Sequence, residues 1–395
     1  MINSSAGVMF TLIAIAAFWF FVERKTGWKI FQFLPPLLFI YSTPILLSNA
    51  DIIFGLESKI LVNSSPVYDG MREFGLPIAI CLMLLSVNVP AAVRVMGGGV
   101  AVMLMGTAGV VVGGVVSYML VHSYLQPDAW KAFGTLAGSW IGGTGNMAAA
   151  HVALEGGPEH LGLAVLADNL VYVVWLPILL GSRAFADKFN AWARVPEDRL
   201  AKMEQAAAEL VTDERAASML DYLNLAAIAL AVIWASKLIA PLLPVIENVL
   251  STSTWLILLV TTFSLLLSVT RARHIPGSQN IAMAIIYMFV AGMGARAALE
   301  GLSQAPWFVL GAFIWIAIHG AFCLAGAWLF KVDVHSAAIA SAANIGGAAS
   351  APIVAAYHRP SLVPVSILMA LIGYAIGNYL AILTGIMAAQ VVGAR

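Results

Sequence analysis

Long apolar runs alternate with short polar interruptions along the whole chain. About 20 apolar residues are what an α-helix needs to cross hydrocarbon. In the first half this pattern predicts spans with cores at Phe10–Val22, Phe31–Leu47, Gly75–Val87, Val95–Tyr124 and Leu161–Leu180. In the second half it predicts them near Tyr222–Leu243 and at Trp255–Val269, Ile281–Ala295, Trp307–Phe330 and Val363–Ala389. The second span should kink at Pro35-Pro36. The fourth carries Gly106, Gly109, Gly113 and Gly114, which would let a neighbouring backbone approach closely.

Two stretches interrupt the pattern. Within about Phe133–Leu154, the run Gly138-Ser139-Trp140-Ile141-Gly142-Gly143-Thr144-Gly145-Asn146 holds four glycines and three short polar side chains. Glycine costs about 1 kcal/mol per helical position relative to alanine. Irregular backbone at membrane depth needs protein or water around it. Within Ser336–Tyr357, the run Asn344-Ile345-Gly346-Gly347-Ala348-Ala349-Ser350-Ala351-Pro352 repeats the Ile-Gly-Gly core 204 residues later. The same register lays Leu161–Trp175 on Val365–Tyr379. Both stretches read as broken or re-entrant segments, each placed before the last span of its half. The expected fold is therefore an all-α polytopic membrane protein. It has two inverted repeats of five transmembrane helices, residues 1–181 and 221–395, each with a broken or re-entrant glycine-rich segment before its last helix. The charged segment 182–220 reads as the linker, a tether lying at the membrane surface or in water. Interrupted segments at matching positions of two halves point to a transporter's binding site.

Parity and charge decide the topology. If both broken segments return to the side they entered, each half crosses five times and the halves are inverted. With the N-terminus outside, the inner positions are Arg24, Lys25, Lys29, Arg94, the linker's basic residues from Arg183 to Arg215, Arg271, Arg273, Lys331 and Arg359. These are 14 of the 20 lysines and arginines, the expected inside excess. Six crossings per half would put the linker outside and lose that excess.

Composition agrees with a membrane protein. Only 10% of the 395 residues are charged, against about 25% in a soluble domain. The 20 acidic and 20 basic residues balance, so no nucleic-acid partner is indicated. Cys81 and Cys323 lie in apolar runs without a metal or disulfide pattern. The N-terminal apolar run lacks a basic region and reads as a first span, not a signal peptide. There is no metalloprotease motif and no phosphate-binding loop, so the chain reads as neither an enzyme nor an ATP-driven pump. The expected location is the bacterial inner membrane, with multiple passes.

Candidate chemistry concentrates at the breaks. Ser139, Gly142, Gly143, Thr144 and Asn146 in the first, with Asn344, Gly346, Gly347 and Ser350 in the second, offer hydroxyl, amide and exposed backbone groups to a small polar or anionic solute. Ser341 and Pro352 stand beside them. Asp168 is the one carboxylate deep within an assigned span, which marks it as a candidate ion site for Na⁺ or a proton. Asn169 and Asn378 are its candidate partners in ion coupling. His319 reads as a packing histidine, and Arg296 with Glu300 as a helix-face pair. No cofactor is expected beyond Na⁺ or H⁺ as coupling ion.

On Gly138–Ala150, Leu166-Ala167-Asp168-Asn169 and Asn344–Pro352 the chain resembles the bacterial membrane family called domain of unknown function 819, over almost its whole length. The resemblance extends distantly to sodium/glutamate and 2-hydroxycarboxylate symporters. It implies two inverted five-span halves with re-entrant glycine-rich hairpins, an elevator-type mechanism and homodimers in the bilayer. The polar residues around the glycine pairs differ from those of the glutamate and citrate carriers, so their substrates do not carry over. The expected function is cation-coupled secondary transport of a small polar or anionic metabolite. The alternatives are a Na⁺/H⁺ antiporter without organic substrate and a non-transporting receptor or intramembrane enzyme.

Overall fold

The computed structural model describes residues 1–28, 30–33, 36–208, 215–246, 251–296, 305–391 and 393. In chain order, the helices of the first half are α1 (Ser5–Thr26), α2 (Ile30–Phe33), α3 (Pro36–Ser48), α4 (Ala50–Phe54), α5 (Pro66–Gly70), α6 (Leu76–Leu85), α7 (Val89–Met96), α8 (Gly98–Val121), α9 (Trp130–Ala153) and α10 (Pro158–Gly181). The linker holds α11 (Ala186–Trp192) and α12 (Arg199–Ala208). The second half holds α13 (Met219–Ile239), α14 (Thr252–Ser268), α15 (Ser278–Arg296), α16 (Ala305–Leu329), α17 (Val334–Ile345), α18 (Gly347–His358) and α19 (Val363–Val391). Among the described residues, seven helices are long and apolar enough to cross a membrane, and α3 and α14 are shorter apolar helices. The chain is an all-α, polytopic membrane protein.

The third span begins earlier than its apolar core suggests. A π-turn at Met71–Gly75 joins α5 to α6 into one rod, and the Ser65 hydroxyl caps its start by accepting from the Val67 amide. Asp69, Arg72 and Glu73 thus lie on this rod. The expected kink at Pro35-Pro36 falls partly on Pro35, outside the described residues. The glycines of α8 are used as expected. A methyl group on Gly113 would sit 2.6 Å from the Trp315 ring, and one on Gly109 2.7 Å from Phe322, so the bare glycine face is what lets α16 close against α8. Trp315 fastens the contact by donating from Nε1 to the Val110 carbonyl, 2.6 Å away.

Both broken segments fold back on themselves. A continuous helix would hold residues 131 and 155 about 36 Å apart, yet Lys131 Nζ donates to the Glu155 carbonyl at 3.2 Å. The arms cross at Gly138, where a methyl would lie 2.5 Å from the Asn146 carbonyl oxygen. In the second segment, α17 and α18 are joined at their open ends by His335 and His358, whose Nδ1 atoms are 3.0 Å apart. Each segment is a hairpin with its tip at the glycine pair.

The two hairpins point at each other from opposite ends of the molecule. Helix α10 starts beside the open end of the first hairpin and ends at the second, where His358 Nε2 donates to the Leu179 carbonyl at 2.9 Å. Helix α19 runs the other way, from the second hairpin to the first, where Gly385 packs against Gly134. The linker docks on the open end of the second hairpin. Arg199 pairs with Asp333, the N-cap of α17, and Asn190 accepts from the Val334 amide at 3.0 Å.

Candidate functional site

The hairpin tips meet near the middle of the bundle. Helix α9 loses helical geometry at Gly142 (φ −141°, ψ 15°) and Gly143 (φ 75°, ψ −170°). The latter conformation is essentially open to glycine alone. Gly347 sits at φ 58°. A methyl built on Gly347 would lie 3.5 Å from the Gly143 Cα, and the Tyr374 ring lies 3.5 Å from the methyl position of both glycines. The second arm of each hairpin therefore starts at the junction, and its first amides carry the positive end of the helix dipole.

A cavity of about 180 Å³ opens beside this junction. Its polar lining is Ser139, Thr144, Asp168, Asn169, Tyr172, Ser350 and Glu23, with backbone at Gly143 and Gly346. Phe20, Phe31, Tyr287 and Ile353 supply apolar walls. No lysine, arginine or histidine lines it among the described residues. The volume suits a small solute, well below a drug-sized ligand.

Asp168 is fixed by the first hairpin. Its Oδ2 accepts from the Ser139 hydroxyl and its Oδ1 from Trp140 Nε1, each at 2.8 Å. A carboxylate has about four acceptor positions, so two hydrogen bonds leave capacity toward the cavity. The contact couples α10 to the arm that ends at the break. Asn169 also borders the cavity, with its Nδ2 donating to the Val165 carbonyl of its own helix at 2.7 Å.

Of the residues singled out in the sequence, the cavity gathers Ser139, Gly143, Thr144, Asp168, Asn169, Gly346 and Ser350. The others stand behind it. Gly142 packs against the Gly373 carbonyl of α19, and Gly347 forms the tip contact itself. Asn146 donates to the Tyr374 carbonyl at 3.1 Å. Asn344 donates to the Met103 carbonyl and to Thr107, both at 3.2 Å, tying the second hairpin to α8. Asn378 donates to Thr261 at 2.8 Å, far along α19. The Oδ1 atoms of Asn146 and Asn378 are buried and unpartnered among the described residues. Ser341 joins His319, whose Nε2 it meets at 2.9 Å, and Trp175 at 3.0 Å. His319 is packed between α8 and the second hairpin, with its Nδ1 on the Gly106 carbonyl. Arg296 faces Asp69 at 3.6 Å, and its expected partner Glu300 lies outside the described residues.

Glu23, Tyr172 and Tyr287 were missed. Glu23 closes an apolar run, where a charge ordinarily marks the membrane surface. Tyr172 lies one helical turn beyond Asp168, and that i, i+4 spacing is the one signal that could have found it.

The chain is 26% identical over 338 residues to the uncharacterized membrane protein YjcL of Bacillus subtilis, covering 82% of this chain and 85% of the relative. Both the spans and this likeness place it as a multi-pass protein consistent with a bacterial inner membrane. Residues 10–391 match the family described as "Protein of unknown function (DUF819)". The chain belongs to that family.

Proposed function

We propose that this protein is a secondary carrier that moves a small polar solute, coupled to Na⁺ or H⁺, by alternating access. The observation that carries the reading is the meeting of two broken hairpins at Gly143 and Gly347 beside a cavity that contains Asp168. Such discontinuous elements supply both signs of partial charge in hydrocarbon, helix N-termini for anionic groups and carbonyls for cations. Here the N-termini of the two second arms, which start at the junction, serve an anionic group of the solute. Asp168 and its free lone pairs serve the cation. Moving either charge alone into this site is costly, and moving both together offsets that cost.

The same reading gives the halves an inverted five-span relation. Both hairpins return to their own side, which leaves five crossings in each half. Ion pairs agree with this assignment. Lys237–Glu73 and Arg296–Asp69 join residues expected outside, and Arg199–Asp333 joins residues expected inside. In this scheme the hairpins with α10 and α19 form the moving unit, and the remaining spans the scaffold, as in elevator-type carriers.

A second reading has its own observation. Two carboxylates, Asp168 and Glu23, line the cavity with no described basic residue, which suits Na⁺/H⁺ exchange without an organic solute. Reconstitution separates the two. Proteoliposomes loaded with a pH dye and given a Na⁺ gradient should show little proton movement with Na⁺ alone, and should take up a radiolabelled solute, found by thermal-stability screening with and without Na⁺, only when a Na⁺ or H⁺ gradient is imposed. Full proton movement with Na⁺ alone would favour the exchanger. No flux of either kind, with no ligand raising the melting temperature, would remove the carrier reading.

A further inference from the structure

A second polar cavity lies away from the hairpins, where the turn Arg271–His274 leads into α15. Its volume is about 370 Å³, and its lining includes Ser86, Arg215, Arg273, His274 and the first turn of α15. Arg215 is matched by Asp221, with hydrogen bonds of 2.6 and 2.7 Å. Arg273 has no acidic partner among the described residues. Its Nε donates to His274 at 3.1 Å, which leaves both terminal nitrogens for a planar, bidentate contact. Ser278 is only 4% exposed, yet it lines the cavity. A hydroxyl facing a polar cavity can donate to a ligand there. The first amides of α15 add the positive end of its dipole. A cation, a hydroxyl lining the cavity and helix amides together are the chemistry that an oxyanion requires.

The cavity continues into an apolar groove. Asn280 lines both spaces. The groove, about 560 Å³, runs from there between α15 and α1, past Met283, Ala284 and Met288 on one side and Ala16, Ala17 and Phe20 on the other. Positions 280, 283, 284, 287 and 288 lie on one helix face, so the groove follows α15 for about 12 Å from its first turn. The polar end is also at a membrane edge. Gly277 packs against Ala217 and Tyr222 at the start of α13, so both spans begin at the linker's end of the bundle. That end carries the excess of basic residues, and cytoplasmic leaflets carry anionic lipids.

We propose that a membrane phospholipid with an anionic headgroup binds here, its phosphate held by Arg273, Ser278 and the first turn of α15 and one acyl chain laid in the groove along α1. The charged head and apolar tail of one molecule match the two parts of the site in order. A free phosphate would occupy the first part alone.

The test uses the full chain purified in detergent, with binding read by native mass spectrometry and melting temperature. The probes are dioleoyl phosphatidylglycerol, dioleoyl phosphatidylcholine and inorganic phosphate. Phosphatidylglycerol should bind saturably, raise the melting temperature and outcompete phosphatidylcholine. Arg273→Glu should weaken it roughly ten-fold or more, the scale of a lost charge-assisted hydrogen bond. Arg273→Lys, which keeps charge but not the fork, should fall between. Ala284→Trp should block the groove and weaken the lipid while leaving any phosphate effect unchanged. Lys237→Gln, a cation at the other end of the bundle, should change nothing. Each variant should melt like the parent without added lipid, and Ser278→Ala gives a milder probe should Arg273→Glu fail to fold. Equal binding of the two lipids, unaffected by Arg273→Glu or Ser278→Ala, would overturn the proposal. So would inorganic phosphate matching phosphatidylglycerol in affinity, with no effect of Ala284→Trp.

Discussion

Gly143 and Gly347 carry backbone angles that side chains resist, at the point where two helices from distant parts of the chain touch. Left-handed geometry costs an ordinary residue about 1–2 kcal/mol. Gly347→Ala should therefore cost about that much stability, since its methyl meets only ordinary van der Waals neighbours. Gly143→Val and Gly347→Val add bulk at the tip contact and should each abolish solute binding in protein that still purifies as a monodisperse species. Unchanged affinity and Na⁺ dependence in both valine variants would detach the breaks from the site. Asp168→Asn keeps the shape of the side chain and removes the charge. It should abolish ion-dependent uptake with little change in melting temperature, and retained coupling would show that the ion binds elsewhere. Much of this site was legible from residue types, because Ser139, Thr144 and Asp168 are polar where everything near them is apolar. Asn344 and Asn378 satisfied the same criterion, yet their amides tie helices together behind the cavity. A helix has several faces, and polarity alone does not say which one a residue occupies. Glu23 failed the criterion for the opposite reason, since it belongs to a charged cluster at the end of a span.

At the scale of elements, the open end of the second hairpin is a joint between membrane and linker. Asp333 serves twice there, accepting from the Ser336 amide at 2.8 Å as the N-cap of α17 and pairing with Arg199 of α12. The two roles separate by substitution. Asn is also a good N-cap, so Asp333→Asn should keep α17 intact and release α12. Trypsin should then cut faster at Lys202, while the melting temperature falls little. Asp333→Ala loses the cap as well and should cost about 1 kcal/mol more. Equal cleavage rates in parent and Asp333→Asn would show that α12 is held by other contacts, such as buried Met203. The breaks were readable because repeated glycines contradict the helices around them. The docking of the linker was not, because its charges look the same whether they face water or a hairpin.

For the whole molecule, sidedness is the property to test. With Cys81 and Cys323 replaced, a cysteine at Ser64 should react with an impermeant thiol reagent added outside intact cells, and one at Gln205 should not. Both positions are exposed, so silence cannot be blamed on burial. Labelling at 205 would require the linker outside and would end the five-plus-five arrangement.

The crossed support of the hairpins also sets a timetable for biogenesis. The tip of the first hairpin finds its partners on α19, at Gly373 and Tyr374, some 230 residues further along the chain. At ordinary synthesis rates that interval is roughly 10–50 s. Until the last helix leaves the ribosome, the break at Gly142 and Gly143 lacks the α19 surface against which it packs, and irregular backbone left facing hydrocarbon is penalised. The nascent first half must therefore hold this segment at the membrane surface, or under the care of the insertion machinery, and seat it only when the chain is finished. A protein stopped short of α19 would present its first hairpin to quality-control proteases as an unplaced loop.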